Sequence, residues 1–261
     1  MKHSFKKPEP DEIKIPSTNT EKIPLGSDGY SATEINGRRV HNIVAAIHNR
    51  MAEGLAPVVL ITGESQTGKS WTALRIAYEL YEITEACNGS FEQKNILYDP
   101  VDALNAMTAN FNEKEELPAI KQILIADELG EQANAYKHNT IENRAYKMIL
   151  NVLPVLKNCF IGLDPQSERI DKKIRDKPHY RLWMTDVGVA KATGRRYIKT
   201  DKKGKDVYST DYFSTWNVEK PPKSYREKFR PKELDYKLDQ PIKYLKKLSK
   251  KGEDKTDFTD F

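Results

Sequence analysis

Cysteine is nearly absent from this chain: its 261 residues include two, Cys87 and Cys159, in no metal-ligand spacing, and Cys159 lies inside an apolar run. A disulfide framework and a cysteine-built metal centre are thereby excluded, and a reduced, cytoplasmic protein with unpaired thiols is expected. Long apolar runs are missing too. None approaches the roughly 20 residues of a membrane span. The opening MKHSFKKPEPDEIKIPST lacks the apolar stretch of a secretory signal, so no stable membrane insertion is expected. A dominant charge is also lacking. The 43 Lys and Arg against 38 Asp and Glu leave +5, which permits an anionic partner without requiring one. With 38% hydrophobic residues, the length suffices for one substantial α/β core with charged appendages.

What is present is a sharply defined stretch over 57–83. Pro57–Thr62 reads PVVLIT, a short β-branched run. GESQTGKS follows at Gly63–Ser70, and WTALRIAYELYEI then places Leu74, Ile76, Ala77, Leu80 and Ile83 on one helical face. Strand, glycine-bounded loop and helix in this order make a Walker A phosphate loop. Glycines at both ends let the backbone curl until several N–H groups face one phosphate cluster, and the helix adds its positive N-terminal dipole. The nucleotide-binding candidates are Gly63, Glu64, Ser65, Gln66, Thr67, Gly68, Lys69, Ser70 and Trp71. Lys69 is assigned to the β- and γ-phosphates and the Ser70 hydroxyl to magnesium. ATP and Mg2+ are the expected cofactors.

The second motif is QILIADE, Gln122–Glu128, an apolar strand closing on two acids. In this Walker B pattern Asp127 emerges beside the phosphate loop to hold the magnesium shell, and Glu128 is placed to polarise an attacking water. Around these motifs the pattern alternates between strand and helix. A helix is expected over Arg39–Gly54, a strand at Asn95–Tyr98, a helix over Val101–Phe111, and a loop over Leu129–Asn139. A helix from Thr140 to Leu156 follows, with Pro154 set to kink it or end it early. Then come a strand at Asn158–Leu163, a short helix at Ser167–Arg175 and a strand at His179–Met184. Such alternation predicts a parallel sheet with helices on both faces. Gln166, just past the fourth strand, is the candidate sensor of the γ-phosphate and the third catalytic candidate beside Lys69 and Glu128.

The Asp-Glu pair resembles that of motor-type ATPases, and the strand expected at Asn95–Tyr98, read as the extra strand between Walker A and Walker B, agrees with that class. The resemblance implies an α/β, RecA-like additional-strand P-loop NTPase with strand order 5-1-4-3-2. The strand-end glutamine, SERIDKKIR and the strand after it are similar to the HerA/FtsK-like ATPases, a group that includes zonular occludens toxin-like phage proteins and archaeal viral packaging ATPases. The similarity covers roughly Val40 to Met184. It implies an ATPase that moves double-stranded DNA as a homo-oligomeric ring, hexameric or similar, with an arginine finger from the neighbouring subunit. Arg144, Lys157, Arg169 and Arg175 remain open candidates for that finger.

Four regions are expected: an N-terminal arm (1–28), the ATPase core (29–184), a β-ribbon appendage (185–219) and a charged C-terminal extension (220–261). The ribbon combines Arg195, Arg196, Lys199, Lys202, Lys203 and Lys205 with Tyr197 and Tyr208, a mixture able to contact a nucleic-acid backbone or, equally, to pack its aromatics on the parent domain while its lysines solvate the edge. In the extension, Ile242, Leu245 and Leu248 are spaced for a short amphipathic helix. The leading expectation is an ATP-driven DNA translocase or packaging motor of a virus or mobile element. Two alternatives stand beside it: an ATP-dependent switch or loader controlling a protein partner, and a virion-assembly ATPase.

Overall fold

The computed structural model describes residues 32–83, 91–92, 95–100, 104, 122–136, 140–200, 206–213, 215–231, 239 and 242. The N-terminal arm, the turn at 201–205 and most of the Val101–Phe111 helix lie outside them, as do Leu245 and Leu248.

Strand β3 (Val58–Thr62) sits in the middle of the main sheet. It pairs in parallel with β6 (Cys159–Asp164) on one side and β7 (Tyr180–Asp186) on the other. Beyond β6 come β5 (Ile123–Ala126) and then β4 (Ile96–Leu97), both parallel. The order β7-β3-β6-β5-β4 is 5-1-4-3-2 when the five parallel strands are numbered along the chain. The strand inserted between the phosphate-loop strand and the Walker B strand is therefore β6. Strand β4, which lies between the two motifs in sequence, forms the far edge of the sheet.

Both faces of this sheet are covered, and the two-residue period of the strands shows how. Val59 and Ile61 of β3, Ile123 and Ile125 of β5, and Ile161 and Leu163 of β6 pack with α1 (Asn42–Ala52) and α2 (Lys69–Ile83). Val58 and Leu60, Leu124 and Ala126, and Phe160 face the other way, onto Tyr146, Ile149 and Leu153 of the helix Ile141–Leu156. Parallel strands buried on both faces need apolar residues at every buried position, as VVLI (58–61) and ILIA (123–126) supply.

Several elements differ from the sequence expectation. Residues 32–41 form a hairpin, β1 (Ala32–Ile35) with β2 (Arg38–His41), and α1 begins only at Asn42. Its turn is Asn36-Gly37, both at positive φ (51° and 74°), the left-handed pair that a two-residue hairpin needs. The Asn36 amide donates to the Ile83 carbonyl at 2.6 Å, tying the hairpin to the end of α2. Within 129–139, Leu129–Gln132 makes one helical turn, α3. Pro154 does not end the next helix, α4 (Ile141–Leu156), early: it lies in the last turn, and the chain leaves through Lys157 at φ 53°. Ser167–Arg175 splits into a 3-10 turn (Ser167–Arg169) and α5 (Lys172–Arg175), because Ile170 is extended and bridges to Asn134.

The ribbon continues the central sheet. Strand β8 (Val189–Thr200) runs antiparallel to β7, and its outer edge takes both β9 (Asp206–Tyr212) and β10 (Trp216–Asn217). Trp216 is buried and stacks on His41 at 5.1 Å. Residues 223–231 are helical (α6), and they pack on the core despite their charge. The reason is Tyr225 and Phe229, four residues apart on one face. Tyr225 stacks on Phe91 at 5.3 Å and meets Tyr78 edge-on, while buried Phe229 lies 6.4 Å from Tyr98.

Candidate active site

The phosphate loop leaves β3 at Gly63, whose φ of 142° and close packing both demand glycine. A Cβ there would fall 2.7 Å from the Met184 Cβ and 2.9 Å from the Met184 carbonyl oxygen on β7. Gln66 (φ 68°) and Gly68 (φ 94°) complete the curl. The loop is braced from inside and outside. The Thr67 hydroxyl donates to the Glu64 carbonyl at 2.8 Å, and the Gly188 N–H between β7 and β8 donates to the Thr67 carbonyl at 3.0 Å. The Thr72 N–H and hydroxyl both donate to the Gly68 carbonyl, locking the loop to the first turn of α2. The Lys69 ammonium lies across the mouth of the loop, donating to the Gly63 carbonyl at 2.9 Å and the Glu64 carbonyl at 2.7 Å.

Strand register carries the acids to this loop. Ala126 is level with Gly162, and Thr62 with Asp164, so the chain leaves β5 at Asp127 beside the end of β6 and the start of the loop. Asp127 is buried, and its Oδ1 accepts the Glu128 N–H at 3.0 Å. Glu128 takes a left-handed conformation (φ 53°, ψ 43°), rare for a side chain of this kind, which turns it into the cleft ahead of α3.

Asp164 was not singled out by the sequence reading. It is fully buried, and its two carboxylate oxygens accept the N–H groups of Gly130 and Gln166. Burial pushes this carboxyl above its ordinary value, against the two N–H groups that favour its charged form. Asp164 therefore stands in the site at the end of the fourth strand. Gln166 is exposed, does not line the cleft, and reaches Asp164 only through its backbone N–H. The sequence signal was the strand's own last residue, as the register above places it.

Together these elements border a cleft of about 870 Å³. Ser65, Gln66, Gly68, Lys69, Ser70, Trp71, Asp127 and Glu128 line it, while Gly63, Glu64 and Thr67 shape the loop behind it. Its far wall is α6, which brings in Lys223, Arg226 and Arg230. The finger candidates are dispersed: Arg144 is exposed on α4, Lys157 caps that helix, and Arg175 closes α5. Arg169 is near enough to Asp164 for its charge to favour the ionised carboxyl.

The donor set suits a hard cation. Among the described residues no three His, Cys, Asp or Glu side chains cluster as a metal cage. Ser70 and Asp127 at the loop offer a hydroxyl and a carboxylate, the sparse oxygen set that magnesium completes with phosphate oxygens and water. Both residues fit that ion. No helix among the described residues is long and apolar enough to cross a membrane.

A glycine-bounded loop between a central parallel strand and a helix, in a sheet ordered 5-1-4-3-2, defines a P-loop NTPase fold. Neither a protein-family model nor a curated protein sequence matches the chain. Solved structures do. The N-terminal domain of zonular occludens toxin from Neisseria meningitidis aligns over 67% of this chain and 99% of that one, at 11% identity and a TM-score of 0.37. The FIGL-1 AAA domain aligns over 54% and 49%, at 16% identity and a TM-score of 0.35. The cytoplasmic domain of the Thermomonospora curvata type VII secretion ATPase EccC aligns over 74% of this chain and 26% of that one, at 13% identity and a TM-score of 0.37.

Proposed function

We propose that this chain binds ATP with magnesium and hydrolyses it. The observation that carries the reading is the convergence of the phosphate loop, Asp127 and Glu128 on one cleft at the carboxyl ends of β3 and β5. The loop amides and the N-terminus of α2 hold the β- and γ-phosphates, and Lys69 exchanges its loop carbonyls for phosphate oxygens. Ser70 and Asp127 hold magnesium, which when bound neutralises charge on the phosphates. Glu128 accepts a proton from water aligned with the γ-phosphate, and Asp164 fixes the turns that carry Gly130 and Gln166 around it.

The work done with this turnover is proposed to be DNA movement, as a translocase or packaging motor acting in a ring. The support is an outer β8–β9 edge on which the Arg195 guanidinium lies 4.0 Å above the Tyr208 ring, with Lys199 exposed nearby. The test is ATP turnover with and without duplex DNA at low and high salt. A motor gripping the phosphate backbone shows strong stimulation that fades with salt, because bound counterions are released on contact. Turnover indifferent to DNA refutes it. A second reading, an ATP-dependent switch acting on a protein partner, has its own support: α6 from the same chain walls the cleft, so nucleotide state has a direct route to the C-terminal segment. That reading predicts a monomer with and without ATP.

A further inference from the structure

Helix α6 is tied to the ATPase core at several points. Arg75 of α2 pairs with Glu219 at 3.0 Å just before it, Lys228 donates to the Phe91 carbonyl at 2.6 Å, and Tyr225 and Phe229 dock on the aromatic cluster described above. Thus fixed, the helix aims Arg226 across the mouth of the cleft. Its guanidinium lies 5.2 Å from the centre of the Trp71 ring, on the first turn of α2 beside Lys69 and Ser70. Its Nε is buried without a hydrogen bond, and among the described residues Arg226 makes no ion pair. Arg230, one helical turn on, lines the same cleft. Planar guanidinium groups lining a nucleotide cleft bind phosphate oxygens in pairs, and here two of them, with no carboxylate paired to Arg226 among the described residues, face the phosphate loop.

We infer that Arg226 and Arg230 are phosphate-binding residues that act in cis, closing the nucleotide's polyphosphate between α6 and the phosphate loop. The inference rests on the ATP-binding reading and deepens it. Trp71 holds the Arg226 plane in place, and the aromatic docking of Tyr225 keeps the helix over the cleft. Charge on the phosphates is thus met from within one subunit, whatever a neighbour contributes.

The test is calorimetric titration of ATPγS with magnesium into wild type, Arg226→Ala, Arg226→Lys, the Arg226→Ala/Arg230→Ala pair, and Lys191→Ala as a charge loss outside the cleft. Arg226→Ala should bind about 10- to 100-fold more weakly and the pair more weakly still, with Lys191→Ala unchanged. Arg226→Lys, which keeps the charge but loses the planar fork, should fall in between. Should the alanine variants fail to fold, the lysine variant decides alone: affinity within a factor of two of wild type overturns the inference. Wild-type affinity in the folded pair overturns it equally. In both cases wild-type binding of ATPγS leaves the parent reading intact, whereas wild type that does not bind removes both.

Discussion

His179 offers the sharpest link between one side chain and the fold that carries the phosphate loop. Immediately before β7, it satisfies both backbone groups of Val58: its N–H donates to the Val58 carbonyl at 2.8 Å, and its Nδ1 accepts the Val58 N–H at 3.0 Å. That geometry requires the neutral ring with its proton on Nε2. Protonation would set N–H against N–H at the start of the phosphate-loop strand. Burial, reinforced by the nearby charges of Arg50, Arg195 and Lys177, lowers its pKa to about 4 from the ordinary 6.5. The folded value lies below the unfolded one, so the neutral ring's contribution is fully present above about pH 6.5 and is lost as pH falls towards about 4. Between about pH 7 and about pH 5 the loss is on the order of 2 kcal/mol. Urea unfolding at those two pH values measures it. Because carboxylates also titrate on acidification, the comparison is with His179→Asn, whose side-chain oxygen can still accept the Val58 N–H but does not titrate. Wild type should lose about 2 kcal/mol more than the variant. Equal losses would refute the assignment.

Two further substitutions probe the site's construction. Gly63→Ala combines a positive φ with a Cβ inside contact distance of Met184 backbone and side chain, so it should destabilise by roughly 2–5 kcal/mol, read as a lowered urea midpoint. Asp164→Asn keeps the shape but turns an amide NH2 towards one of the two N–H groups it now accepts, costing about 1–3 kcal/mol and slowing turnover, with thermal unfolding and steady-state assays as the checks.

The strand and helix alternation and the phosphate loop were legible because their signals are local: β-branched runs, glycines at fixed spacing, and acids at a strand end. The order 5-1-4-3-2 was implied only by the resemblance to motor-type ATPases. Where several local signals competed, the reading went astray. Asn36-Gly37 is a strong hairpin signal, but Val40 of β2 happens to sit in helical register with Ile43, Val44 and Ile47, and it buries in the same core. The helix was therefore begun too early. Asp164 was passed over for a reason of register: its place depends on where β6 stops against β3, and only pairing across the sheet fixes that. The docking of α6 was hidden for a different reason. Tyr225 and Phe229 are two aromatics among charges, and their partners Phe91, Tyr78 and Tyr98 come from distant parts of the chain.

The central claim, a cleft that binds Mg-ATP and hydrolyses it through Glu128, is tested most directly by pairing binding with turnover in Glu128→Gln. That variant keeps the phosphate loop, Asp127 and the shape of the carboxylate while removing its basicity. Its affinity for ATP should stay within about threefold of wild type while turnover falls by about 100-fold or more. Lys69→Ala, in contrast, should weaken binding itself. A Glu128→Gln protein that hydrolyses ATP at the wild-type rate would contradict the account.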